Sequence, residues 1–199
     1  MAGIVEEPLT TPPLVLVERF LDSVCKSRSV LDRLSSLPDF IFSRELTSNS
    51  YYLLVRELYI AMLKLYATGQ HYVCLDVCRK IVEVLVRKEL SISLDEDLWA
   101  IRKKLNSLQW PPTKKEEALD IYNIGNEAIH FQREKLWKRA SQHSHFRKEE
   151  VREKLSRTFP EERVEDIARA VQGVSGIDKL VIETMDKTIE LANFVFSRK

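Results

Sequence analysis

Between Tyr51 and Leu90 two long runs of helical apolar spacing meet at a single glycine, YYLLVRELYIAMLKLYATGQHYVCLDVCRKIVEVLVRKEL. The first, from about Tyr51 to Thr68, is apolar around most of its circumference and has to be buried on most sides. Ser48-Asn49-Ser50 supplies capping candidates ahead of it, and Gly69 stands where a helix commonly ends. The second run, from about Gln70 to Leu90, is two-faced: Cys74, Cys78, Ile81 and Leu85 share one side, and Asp76, Arg79, Lys80, Glu83 and Arg87 the other. Two such helices joined at Gly69 predict an antiparallel hairpin. Helical spacing recurs through the rest of the chain, and glycine is scarce, at 5 in 199 residues. The expected fold class is all-α.

Residues 1–13, with three prolines, read as a flexible arm. Leu14 to Leu37 predicts an N-terminal helix stopped by Pro38, and a connection fills the stretch up to residue 47. Ser93, followed by Asp95 and Glu96, opens a shorter helix carrying Leu94, Leu98, Ile101, Leu105 and Leu108, which Trp110-Pro-Pro-Thr113 breaks. Thr113 and Glu116 have capping-box spacing, so the next helix is expected from Lys114 to about Ala140. The charge-dense stretch 141–173 reads as two short amphipathic helices parted near Pro160, an insertion standing off the bundle. Ser175 and Asp178 open a last helix to about Ser197. The main helical domain thus spans 48–199, preceded by an N-terminal helix and connection at 14–47.

With 31 basic and 30 acidic residues the net charge is +1, so the molecule as a whole has no polyanion-seeking field; local runs such as Arg102-Lys103-Lys104 remain contact points. Three cysteines without framework spacing point to a reducing compartment, and Cys74 with Cys78 reads as packing. No apolar run of about 18 residues is present and the amino terminus lacks a basic leader region, so a cytoplasmic, non-membrane protein is expected. His143 and His145 lack further ligands at suitable spacing, and neither a phosphate-cradling loop nor a nucleophile setting occurs, so no metal site and no cofactor are expected. Trp99, Trp110 and Trp137 read as core or rim packing rather than base-stacking platforms.

One stretch sits badly in its helix: IYNIGNEAIHF, residues 121 to 131, places a glycine, two asparagines and a histidine there. A mid-helix glycine alone costs about 1 kcal/mol against alanine. At 100° per residue Leu119, Asn123, Asn126, His130 and Arg133 form one stripe along the edge of an apolar face. Gly125 would let a neighbouring helix approach closely, and the amides and imidazole would hydrogen-bond across that contact. Arg79 and Glu83 have two readings. They belong to a solvated salt-bridge face with Asp76, Lys80 and Arg87, or they face Asn126 and His130 in a buried polar quartet; the second is preferred.

Cys78-Arg-Lys-Ile-Val-Glu83, then Gly125-Asn-Glu-Ala-Ile-His130, then a closing Leu-Ala-Asn-Phe-Val-Phe196, together resemble the HEPN superfamily (higher eukaryotes and prokaryotes nucleotide-binding). The likeness is closest to a prokaryotic branch marked by Gly-Asn with a histidine four residues after the asparagine. It covers roughly residues 50–140 and 176–197. It implies a bundle of four or five core helices, often dimeric, and a defence or stress setting. In catalytic members an arginine four to six residues ahead of the histidine acts with it to cleave RNA without metal. Here the position just before Asn126 is Gly125 and the other permitted positions hold Ile124 and Asn123, so no arginine stands there, and the resemblance implies a catalytically degenerate module that binds a protein partner, a second copy, or a nucleotide or RNA. Two alternatives stand beside it: a metal-independent RNase using His130 with Arg79 or Arg133, and a scaffold or antitoxin-like subunit contacting its partner through 141–173.

Overall fold

The computed structural model describes residues 28–41, 43–95, 100–130, 132–144, 148–156 and 161–198. Among them the secondary structure is helical: α1 (Arg28–Ser35), α2 (Ser50–Ala67), α3 (His71–Leu90), α4 (Ile101–Ser107), α5 (Pro112–Ile129), α6 (Arg133–Ser141), α7 (Lys148–Ser156) and α8 (Glu161–Ser197), with one 3-10 turn at Arg44–Leu46. The all-α expectation therefore holds. Most of the expected N-terminal helix, residues 14–27, and the arm at 1–13 lie outside the described residues.

The central hairpin forms as its pattern requires. Asn49 caps α2 by accepting from the Tyr52 amide at 3.1 Å, and Gly69 takes φ 74°, a left-handed value that costs glycine little. Leu63, Leu75 and Leu85 are fully buried between the hairpin and its neighbours, each contributing about 1.5–3 kcal/mol of apolar transfer. Cys74 and Cys78 are fully buried as well, and both pack on Met62, with the Cys78 Sγ 3.4 Å from its sulfur. The hydrogen bond with Cys78, and then burial, push the Cys74 thiol well up, so it stays protonated.

Side-chain pairs set the direction of the other two core helices. Trp110 Nε1 donates to Glu89 at 2.9 Å at one end, and Gly125 meets Leu75 and Arg79 at the other, so α5 runs antiparallel to α3. His71 with Asp178 and Lys88 with the Val195 carbonyl keep one offset, so α8 runs parallel to α3. Four helices, α2, α3, α5 and α8, thus form an antiparallel bundle around Val55, Met62, Ile81, Ile121 and Met185.

Several helix boundaries depart from expectation, and the short helix expected to open at Ser93 begins at Ile101, with Ala100 at its cap in a left-handed conformation. The helix expected to run from 114 to 140 ends at Ile129, and its direction changes at His130 before α6 begins. It also starts two residues earlier, with Pro112 in its first turn and Pro111 at the cap, so the Thr113–Glu116 capping box is not used. The break expected between Gly173 and Ser175 is absent: α8 is one continuous helix of 37 residues. The two glycines serve packing instead. A Cβ on Gly173 would lie 2.5 Å from the Trp137 Cβ, and one on Gly176 would overlap the Ala140 carbonyl, so α6 lies against α8 at a distance that only glycine permits.

Because Asp178 stands level with His71, the first residue of α3, residues 161–177 run about 25 Å past the end of the bundle at 1.5 Å per residue. Helices α6 and α7 pack on this overhang and make a helical arm. The expected insertion corresponds to this arm, which takes in α6 and the first half of α8.

Candidate functional site

The seam between α3 and α5 carries the residues of the sequence motif. On α3, Tyr72, Asp76, Arg79 and Glu83 fall in one stripe at helical spacing. Gly125 lets α5 close on that stripe: a Cβ there would sit 2.5 Å from the Arg79 Cβ and 2.6 Å from the Leu75 carbonyl oxygen. This is the local offset for a mid-helix glycine. The packing of α5 on α3 needs the missing methyl more than it needs helix propensity.

Arg79 is fully engaged. Its Nε and Nη2 donate to Asp76 Oδ1 at 3.2 and 3.0 Å, its Nη1 pairs with Glu83, and its guanidinium carbon lies 5.8 Å above the Tyr122 ring. Lys80 adds a second contact to Asp76 at 3.2 Å. Burial raises the Glu83 carboxyl above its usual range despite the opposing pull of Arg79. Of the two sequence readings of this face, the salt-bridge pairing of Arg79 with Asp76 and Glu83 forms, on a face that α5 approaches closely at Gly125.

The expected quartet of Arg79, Glu83, Asn126 and His130 is not assembled. His130 is exposed at the C-cap of α5, where its amide donates to the Asn126 carbonyl at 3.1 Å. Asn123 and Asn126 are half-buried, and neither their side chains nor that of His130 hydrogen-bonds to another described residue. The reason is register. With Arg79 beside Tyr122 and Gly125 on antiparallel helices, His130 belongs level with Gln70–His71, which leaves it about 20 Å along the axis from Glu83. Arg133 opens α6 one turn later, and its side chain lies outside the described residues.

The remaining candidates have structural surroundings. His143 Nδ1 lies 3.3 Å from Glu183 on α8, whereas His145 lies outside the described residues. Trp110 is buried on Glu89, Trp137 covers Gly173, and Trp99 lies outside the described residues. No group of three metal-ligating side chains occurs among the described residues, and no helix among them is long and apolar enough to cross a membrane.

One cluster had no signal in the sequence. Arg33, Tyr66, His71 and Asp178, from four different helices, converge where α8 leaves the bundle. Tyr66 donates to Asp178 Oδ1 at 2.8 Å, Arg33 pairs with Asp178 and donates to the Tyr66 oxygen at 3.4 Å, and His71 Nε2 lies 3.6 Å from Asp178 while its ring stacks on Tyr66. Burial and then Arg33 hold the His71 imidazole below its ordinary range, and burial raises the Tyr66 hydroxyl. The four lie up to 145 positions apart, beyond any helical periodicity. Only Tyr66 and His71, flanking the Gly69 turn, were neighbours on the hairpin.

Comparison with protein-family models, with curated proteins and with solved structures returned no match.

Proposed function

We propose that this chain is a HEPN-like helical binding module without a catalytic pair, and that it docks a protein, first of all a second copy of itself, where α3 begins and α5 ends. One observation carries the loss of catalysis: the Arg79 guanidinium is taken up by Asp76, Glu83 and Tyr122 and sits turns away from His130. So engaged, Arg79 does not offset phosphate charge beside the His130 imidazole, and such electrostatic stabilisation is commonly the largest part of a reaction of this kind.

Support for docking comes from exposure. Tyr72 and Val73, in the first turn of α3, are 40% and 47% exposed, two of the four large apolar side chains that remain so among the described residues. Tyr72 stands two turns before Arg79 on its stripe and Asn126 one turn after Tyr122, so the antiparallel register sets them side by side. An exposed aromatic beside amides with spare hydrogen-bonding capacity suits a protein interface.

Sedimentation velocity of the wild type and of Tyr72→Glu, with parallel incubation of single-stranded RNA with and without EDTA, tests both halves. The expected result is a wild-type dimer, a monomeric Tyr72→Glu protein and intact RNA. RNA cleavage that disappears in a folded His130→Ala protein would instead establish the RNase reading. A monomeric wild type whose nucleotide binding is weakened by Tyr72→Glu would make the seam a nucleotide site.

A further inference from the structure

Four helices meet where the overhang of α8 begins, and one carboxylate ties them together. Asp178 of α8 accepts the Tyr66 hydroxyl of α2 on Oδ1 at 2.8 Å and pairs through Oδ2 with the Arg33 guanidinium of α1. His71, the first residue of α3, points Nε2 at the same Oδ1 from 3.6 Å, too far for a hydrogen bond, and its ring is held in place by stacking on Tyr66. The neutral imidazole is thus a spectator beside a carboxylate that two other groups already occupy.

A proton on His71 changes that balance. With both ring nitrogens protonated, Nε2 becomes a donor that competes with Tyr66 for Oδ1, and the ring becomes a second cation beside Arg33. The new charge also sits in the first turn of α3, the end of a helix that cations destabilise. One partner has to leave, and exposure selects it. The Arg33 side chain is 47% exposed and stands on α1, described over eight residues, whereas the His71 side chain is 24% exposed and stacked at the start of a 20-residue helix. Arg33 is therefore the cation that water can take back, from a helix too short to be stable by itself.

We propose that His71 is a proton-operated release at this joint: when charged it displaces Arg33 from Asp178 and lets the first turns of α1 leave the bundle, with Leu34 still buried. Among the described residues the charged and titratable groups that face His71 are Arg33 from α1, Tyr66 from α2 and Asp178 from α8, with the Cys74 thiol one turn along on α3 itself. Burial and then Arg33 hold the imidazole below its ordinary range. The joint is therefore closed above about pH 6.5 and opens as the pH falls below that value. The release uses the Tyr66 side of α3 and does not rest on the docking reading, which uses the Tyr72 stripe.

The test is native-state hydrogen exchange of the full chain at about pH 7.4 and about pH 5.2, corrected for the intrinsic pH dependence of exchange, with the imidazole titrations followed by NMR. In the wild type, protection across 28–36 is expected to fall about fivefold to tenfold on acidification, along the same curve as the His71 ring, while α3 and α5 keep theirs. His71→Gln, which takes up no proton, is expected to leave α1 protected at both pH values. Arg33→Gln is expected to give low α1 protection at both, because its release is permanent, and it carries the test if His71→Gln does not fold. The inference is overturned if wild-type α1 protection is independent of pH, if it changes equally in either variant, or if it follows a curve other than that of the His71 ring.

Discussion

The bundle and the arm are held together by opposite means. In the bundle large aliphatic side chains fill space: Leu63, Leu75, Leu85, Ile121 and Met185 are fully buried. In the arm small residues let backbones touch, with Gly173 under Trp137 and Gly176 against the Ala140 carbonyl. A volume-filled core is damaged by removing methylenes, and a contact made by close approach is damaged by adding one. The arm should therefore fail when a methyl is added, and the bundle when methylenes are removed or, at the close approach of Gly125, when one is added.

The largest effect expected is in the bundle. Leu85→Ala, at a side chain with no exposure, should lower unfolding free energy by about 3 kcal/mol in urea titrations followed by circular dichroism. A loss below about 1 kcal/mol would show that the bundle is not volume-limited.

Next come the glycines, which separate the regions directly. Gly176→Ala meets backbone rather than a movable side chain and should cost about 2 kcal/mol. Its hydrogen-exchange losses should be concentrated in 133–177, with α3 still protected. Gly125→Ala meets the Leu75 carbonyl and the Arg79 stem; it should cost a similar ~2 kcal/mol but loosen the whole bundle. If both variants deprotect the same residues, the arm and bundle are one cooperative unit and the contrast fails.

A smaller effect should appear at the joint between them. Because His71 is held below its ordinary range by burial and by Arg33, the unfolded chain takes up a proton that the folded chain refuses as pH falls below about 6.5. Stability should drop through that window, and His71→Gln should shrink the difference in urea midpoint between about pH 7 and about pH 5. An identical difference in the variant would remove His71 from the joint's pH response.

The smallest change expected is Asn126→Ala. With an amide that bonds to no described residue, its removal should alter stability by less than about 0.5 kcal/mol. A loss of more than about 1 kcal/mol would mean that the amide does structural work in the bundle after all.

What could be read from the chain was local. The α2–α3 hairpin, its Gly69 terminus and the apolar stripes of α3, α5 and α8 follow from 3.6-residue spacing and turn chemistry, which neighbours in sequence encode. So does the close approach at Gly125, since a glycine on an apolar face implies a neighbouring backbone. Register and direction were decided only in three dimensions. The offset between α3 and α5 puts Arg79 on Tyr122 and leaves His130 at the rim, and no pattern within either helix contains that offset. The glycines at 173 and 176 show the same limit. By propensity they end a helix, and in the fold they sit inside one, because the packing gained against α6 outweighs about 1 kcal/mol of helix preference at each. The sequence by itself determined which segments are helical and which sides are apolar; tertiary packing determined which polar groups meet, because those contacts join residues whose separation along the chain carries no periodic signal.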